Sequence, residues 1–378
     1  MAALSGVLLH ITTLSDWAAG ARAGTYGDDR LAHGGFLHLS TPEQVAGPAN
    51  ALFAGHKDAW LLVVEESRLP VPVRWEPGDP RTDDGSRFPH LYAPLPVNAV
   101  VAAVPYPPGP DGTFAPPVGI PEPGDRLRRA HALEWYLARA RARSVGELDA
   151  GFSLRHHEYA VSSQDNRVVL RREHSPAEAA ALCAVELAGL DHWQVYIEGP
   201  VSTETISAYE SAGWSHTESL IMIASASPTR LADPGVRVVE VDVGTPSDEQ
   251  ATWREDIPRL LDPELREIVE REAVTSVVAR QVHLAVLDDE GRPEAWADLY
   301  VAGATAQLEN VMATPDRRGR GLGTAVTLHA VDRARRLGCD VVFLRTDADD
   351  WPCHLYEKLG FRTMGTAHVF NRYLTTSP

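Results

Sequence analysis

The stretch Arg317-Arg318-Gly319-Arg320-Gly321-Leu322-Gly323-Thr324 gathers cations and glycines in one place. Arginines are charge-assisted donors, and glycines let an anion approach the main chain without meeting Cβ atoms. The stretch follows the apolar run 308–313 and opens an Ala- and Leu-rich helical pattern that ends at Gly338. A strand, a tight turn and a helix start leave the N–H groups of the first helical turn pointing outward, which suits a phosphate. Two familiar phosphate loops do not fit. Leu322 follows Gly321 and Thr324 follows Gly323, so the Lys-Ser/Thr of a P-loop is missing. The G-x-G-x-G spacing also departs from the dinucleotide fingerprint, and it lies late in the chain without the strand–helix repetition of that fold.

A second motif lies downstream, Leu355-Tyr356-Glu357-Lys358-Leu359-Gly360-Phe361, after the buried-strand pattern Val341-Val342-Phe343-Leu344-Arg345. Arg318-x-x-Gly321-x-Gly323 resembles the pyrophosphate loop of the GNAT superfamily of N-acyltransferases, and the L-Y-E-K-L-G-F run resembles their closing helix. That resemblance implies acetyl-CoA as cofactor, held by Arg318, Gly319, Arg320, Gly321, Leu322, Gly323 and Thr324. It implies that main-chain N–H groups near Met312 and Ala313 polarise the thioester and that Tyr356 protonates the leaving thiolate. Glu309 is the candidate to take the amine proton, directly or through water. Alternation along a strand groups Glu309 with Val311 and Ala313, and Asn310 with Met312. Many family members carry an Asn before the last helix. Here Asp349-Asp350-Trp351-Pro352 stands instead, leaving Asp350 as a cofactor contact, a base or a helix cap.

The elements that position these residues follow from periodicity. Strand patterns cover 236–242, 281–287, 295–301 and 304–313, with helices over 247–257 and 263–278, and this is the GNAT order across 229–378. Residues 119–228 show a weaker copy. Ala208-Tyr209-Glu210-Ser211-Ala212-Gly213-Trp214 repeats the closing motif at an offset of 147 residues, from Tyr209 to Tyr356. The same offset sets 195–197 on 342–344 and 220–223 on 367–370. Helices are expected over 125–142 and 175–190, with strands over 157–161, 168–171 and 194–197. Before its helix this copy has Arg171-Arg172-Glu173-His174-Ser175-Pro176, without glycine, so it is expected to be a degenerate half that binds coenzyme A poorly.

Residues 1–118 read as a small α+β unit. Strands are expected near 7–12, 36–41, 60–64, 73–76 and 99–104. Helices are expected from Ser15 to about residue 23 and over 42–53. Its polar signature is His10-Ile-Thr, Phe36-x-His38-x-Ser40-Thr41-x-x-Gln44, Trp75-Glu76 and Phe88-Pro-His90-Leu-Tyr92. This looks like the small bacterial family called domain of unknown function 952, which the resemblance ties to the ADP-ribosyltransferase-like fold. An NAD-like ligand would then meet His10, Ser40 and Thr41, with His90 and Tyr92 along the same cleft; Glu76 is the candidate acid. Each histidine read singly is equally a hydrogen-bonded structural residue. The Pro- and Gly-dense segment 105–122 reads as a semi-rigid linker.

The fold class expected is therefore mixed α/β and α+β: one small α+β domain and two GNAT-like units, the first incomplete. Net charge is −17, from 35 basic and 52 acidic residues, which argues against duplex DNA or an anionic membrane as partner. Three scattered cysteines, Cys183, Cys339 and Cys353, fit neither a disulfide framework nor a zinc site. No signal peptide or spanning segment is legible, so a cytoplasmic location is expected. The function expected is acetyl transfer to an amine of a small molecule or protein, with the acidic composition suggesting a cationic acceptor. The alternatives are a non-catalytic coenzyme A or nucleotide sensor and a bifunctional protein with ADP-ribosyl chemistry at its N-terminus. Oligomeric state is not legible.

Overall fold

The computed structural model describes residues 6–78, 85–242 and 274–374. The helices expected over 247–257 and most of 263–278 lie outside the described residues; 274–278 is helical.

In the N-terminal domain, β1 (Val7–Thr13), β4 (Ala59–Glu65) and β8 (Val100–Pro105) form an antiparallel sheet with β4 in the middle. Both faces of β4 are buried, in line with its unbroken apolar run. A second sheet holds β3 (Leu37–His38), β6 (Arg87–Leu91) and β5 (Arg74–Pro77), and β2 (Thr25–Tyr26) pairs with β7 (Leu95–Pro96). Helix α1 (Leu14–Ala23) is capped by Thr13, whose hydroxyl accepts from the Asp16 amide, two residues ahead of the expected start at Ser15. Helix α2 (Asp28–Gly34) precedes β3. The helix expected over 42–53 is shorter, because α3 (Ala46–Leu52) starts only where Gly47 and Pro48 fall within its first turn. Residues 105–122 are anchored. Tyr106, Phe114 and Ile120 are buried, and Asn50 holds the main chain of Phe114 at both its N–H and its carbonyl.

The rest of the chain builds one eleven-stranded sheet. Helix α4 (Arg126–Arg141) leads into β9 (Ser144–Leu148), β10 (Gly151–Arg155) and β11 (Arg167–Leu170), then α5 (Pro176–Glu186), β12 (His192–Glu198), α6 (Thr203–Ser211) and β13 (Ser215–Ala224). After β14 (Val239–Val241) the same order recurs: β15 (Arg280–Leu287), β16 (Pro293–Val301), β17 (Thr305–Ala313), α7 (Leu322–Arg336), β18 (Val341–Asp347), α8 (Pro352–Lys358) and β19 (Phe361–Tyr373). In both series the strand after the helix that follows the third strand (α5, α7) pairs in parallel with the strand before it.

One expected strand is absent. Residues 157–159 form a short turn of 3-10 helix, because Asn166 ties the loop together through Tyr159 O, Ser162 O and the His156 amide. Strands β9 and β10 take its place. Their glycines mark close approach: a Cβ on Gly151 would lie 1.9 Å from Val169 O.

The two series are joined through their last strands. Strand β13 lies between β18 and β19, and β19 lies between β13 and β12. The N-terminal domain docks on this sheet through Asp340. Its carboxylate accepts from Arg129 of α4 at 2.5 Å and from Arg68 at 2.6 Å, while Arg129, 1% exposed, also donates to Ala304 O and Pro123 O. Burial opposes the Asp340 charge, yet the two guanidiniums hold its pKa below the usual value. Trp60, Tyr136, Val278 and Phe343 share one apolar core, so domain, helix and sheet pack as a single body. Among the described residues no helix is long and apolar enough to cross a membrane.

Candidate active site

The glycine stretch forms the turn into α7. Gly319 and Gly321 have φ of +75° and +82°, a left-handed conformation that side chains disfavour. Gly321 is the helix N-cap and contributes no side-chain bond. Cβ atoms built on Gly319, Gly321 and Gly323 would meet nothing within 4 Å, so the turn faces open space. Arg318 donates from Nε to Ala313 O at 3.2 Å, tying the turn to the end of β17. Arg317 pairs instead with Glu294 at 2.9 Å, and Arg320 is exposed. Leu322 and Thr324 bury their side chains in the helix–sheet core, so from these two positions only main-chain groups face a ligand.

Strands β17 and β18 pair only over residues 305–307 and 341–343 and then part. On its other edge β18 pairs with β13 from Phe343 to Asp347, and beyond Gln307 the β18-facing edge of β17, including Met312 and Ala313, has no strand partner among the described residues. A bulge sits at this point. Asn310 has φ of +53° and donates to Asp298 Oδ2 at 2.6 Å, and His283 Nδ1 donates to Asp298 Oδ1 at 2.6 Å. The bulge breaks simple alternation. Glu309 and Asn310 line the same cavity, whereas Val311 and Ala313 pack with the α7 side, so the grouping of Glu309 with Val311 and Ala313 does not hold.

Tyr356, on α8, is 8% exposed and meets Phe361 edge-on at 5.8 Å between ring centroids. Burial, aided by the fields of Glu309 and Asp350, pushes its pKa above the ordinary 10.0, so it keeps its proton. Asp350 accepts from the Trp351 amide at 2.8 Å; the N-cap of α8 is Trp351, without a side-chain cap, so Asp350 does not close the helix start.

The parting strands open on a polar cavity of about 510 Å³. Glu309 and Asn310 of β17, Arg345 and Asp347 of β18 and Arg167 of β11 all line it. Arg345 is 2.5 Å from Glu134 of α4, donates to Ser219 Oγ and stands over the Tyr196 ring at 4.8 Å. Burial works against its charge, but Glu134, with the fields of Tyr196 and Glu309, holds its pKa above the ordinary value. Arg167 and Glu134 belong to no motif, and Arg345 ends the apolar strand pattern 341–345. The legible signal was an arginine beside apolar strand residues, at Arg167-Val168-Val169-Leu170 and at Leu344-Arg345.

In the N-terminal domain, a cavity of about 290 Å³ is lined by His10, Phe36, His38 and Ser40. His10 Nδ1 is 2.7 Å from His38 O and Nε2 is 3.2 Å from the Tyr26 hydroxyl. Thr41 starts the turn after β3, its carbonyl accepting from Gln44 and Val45. His90 and Tyr92 are not among the residues lining this cavity; both bind Glu76 Oε2 at 2.8 Å, with Phe36 stacked on His90.

Residues 11–103 match the family described as protein of unknown function DUF952, and residues 247–361 match the acetyltransferase (GNAT) family. The chain thus carries a DUF952 domain at its N-terminus and a GNAT acetyltransferase domain at its C-terminus. A functionally unknown conserved protein from Staphylococcus epidermidis is 10% identical over 61% of this chain and 94% of its own, with a TM-score of 0.53, which shows a shared fold. A protein from Caulobacter crescentus is 32% identical over 29% of this chain and 93% of its own, at a TM-score of 0.26. A GCN5-related N-acetyltransferase from Kribbella flavida is 19% identical over 68% of this chain and 96% of its own, at a TM-score of 0.46. No curated protein matches the chain.

Proposed function

We propose that the protein is an acetyl-CoA-dependent N-acyltransferase acting on an amine. The observation that carries this reading is the uncapped, open N-terminus of α7 beside the gap between β17 and β18. Bare first-turn N–H groups and the nearby Arg318 suit a diphosphate, and open space over three glycines leaves room for one. Acetyl-CoA, when bound, supplies an activated acyl group as a thioester. The unpaired edge of β17 offers main-chain N–H groups where oxyanion charge develops. Glu309 faces the cavity and takes the proton of an incoming amine, directly or through water. Tyr356 holds a proton near the same gap and gives it to a departing thiolate.

Residues 126–224 are read as a second GNAT-like copy that has lost its coenzyme loop; the recurrence of element order and the parallel strand pair in each series support this. Calorimetry of the full chain with acetyl-CoA, followed by thiol release with an amine panel, tests the reading. Saturable binding with acceptor-dependent thiol release is expected; absence of acetyl-CoA binding overturns it. For the N-terminal domain, the cavity beside His10 and Ser40 supports binding of an NAD-like ligand. A rise in melting temperature with NAD, lost in His10→Ala, checks that part.

A further inference from the structure

Arg167 differs from the other cavity cations. It is 6% exposed and lines the cavity, yet it makes no hydrogen bond or ion pair among the described residues, and its Nε is buried without a partner. What holds it is aromatic: its guanidinium carbon lies 5.1 Å from the Trp135 ring centroid and 5.4 Å from that of Tyr196. The acid contributing most to its field, Glu134, is already engaged by Arg345. Burial draws the Arg167 pKa down to about 10, the expected result for a cation without a bonded partner, though it stays charged at neutral pH.

A buried, unpaired guanidinium is costly, and proteins keep such groups where a ligand completes them. The rings fix the plane of Arg167 and leave its donors toward the cavity, suited to two parallel bonds to a carboxylate or phosphate. Gln194 and Asn371, bonded to each other at 2.9 Å, line the cavity too. Glu309 and Asp347 line it as well, so the cavity presents groups of both signs. About 510 Å³ fits a small molecule.

We propose that this cavity is the acceptor subsite and that the acceptor is a small amine bearing its own carboxylate or phosphate, with the anionic group on Arg167 and the amine toward Glu309. This rests on the acyltransferase reading and narrows it. It also departs from the cationic acceptor that overall composition suggests. The net charge of −17 describes the whole surface, whereas the unsatisfied group inside the cavity is positive.

The test uses the full-length chain with β-alanine, phosphoethanolamine, ethanolamine and putrescine, measured by calorimetry without acetyl-CoA and by thiol release with it. Binding of β-alanine or phosphoethanolamine at least tenfold tighter than ethanolamine or putrescine supports the proposal, and the tighter of the first two decides between carboxylate and phosphate. Arg167→Met should abolish that preference while leaving the melting temperature equal or higher, because an unpaired buried charge is removed. Arg167→Lys, which keeps charge without the planar fork, should fall between. Equal binding of the four amines, binding of none, or an unchanged preference in Arg167→Met overturns the proposal. The two readings fail separately. If β-alanine binds through Arg167 but acetyl-CoA does not bind, acyl transfer fails and the anion site stands. If Arg167→Met releases thiol with β-alanine and phosphoethanolamine as well as the native chain does, the anion site fails and acyl transfer stands.

Discussion

Helices α5 and α7 occupy the same place in their series, each after the third strand and before a parallel one, but their first turns are finished in opposite ways. The α5 turn is closed by its own side chains. Ser175 Oγ accepts from the Glu178 amide, Glu178 Oε2 accepts from the Ser175 amide at 2.9 Å, and Pro176 removes another donor. Beside it Glu173 accepts from Ser202 and Thr205 of the neighbouring turn. The α7 turn is closed by nothing of its own. The tyrosines after the parallel strands diverge likewise. Tyr209 is fully buried, stacked on Phe370 at 3.9 Å with its hydroxyl unbonded, while Tyr356 lies beside the gap. A helix start is either self-satisfied or available to an anion, and carboxylates at the first start do what a diphosphate would do at the second.

The largest effect expected from breaking this comparison is at the tyrosines. Tyr356→Phe should lower kcat about 100-fold with little change in acetyl-CoA affinity. Tyr209→Phe should leave kcat within twofold, about the scatter of such measurements, and should not lower the melting temperature, because its hydroxyl has no partner to lose. Steady-state kinetics on both variants checks this. Next comes the loop. Gly321→Val forces a branched side chain into a left-handed position, a strain of roughly 1–2 kcal/mol, and crowds the open face, so acetyl-CoA should bind at least about tenfold more weakly by calorimetry. A smaller effect is expected at the closed start, where Ser175→Ala should cost about 1 kcal/mol of stability and leave acetyl-CoA affinity unchanged. Denaturant titration and calorimetry separate the two readouts.

The smallest effect is a pH dependence. Burial opposes the charge of His131 on α4, but Glu198 on β12, 3.2 Å away, outweighs it and holds the His131 pKa above 6.5. A raised histidine pKa stabilises the fold fully below the unfolded value, and that contribution is lost as pH rises through the folded value. Melting temperature should therefore fall slightly as pH increases past 6.5, and His131→Gln should flatten that slope.

The glycine turn before α7 was readable because glycine spacing is local, and a left-handed turn leaves its mark in residue type. The strands β4, β12 and β18 were readable from unbroken apolar runs. Strand β9 was not, since Ser144-Val145-Gly146-Glu147-Leu148 is polar and gains order only by pairing with β10. The bulge at Asn310 depends on Asp298 and His283 from two neighbouring strands, so strand alternation alone misassigned the face of Glu309. Nothing in the residues beside Arg167 marks it as unpaired; its isolation depends on Trp135, Tyr196 and Arg345 arriving from three other elements.

The interleaved last strands decide where the chain can be divided. Both neighbours of β19 belong to the upstream series, and β13 pairs with β18 from Phe343 to Asp347. Scissors applied near residue 229 would not release a smaller catalyst. They would strip one piece of a flank, strand the other's final ribbon and leave raw edges on both. The upstream half supplies both strands beside β19 and so serves as the mould in which the downstream sheet sets.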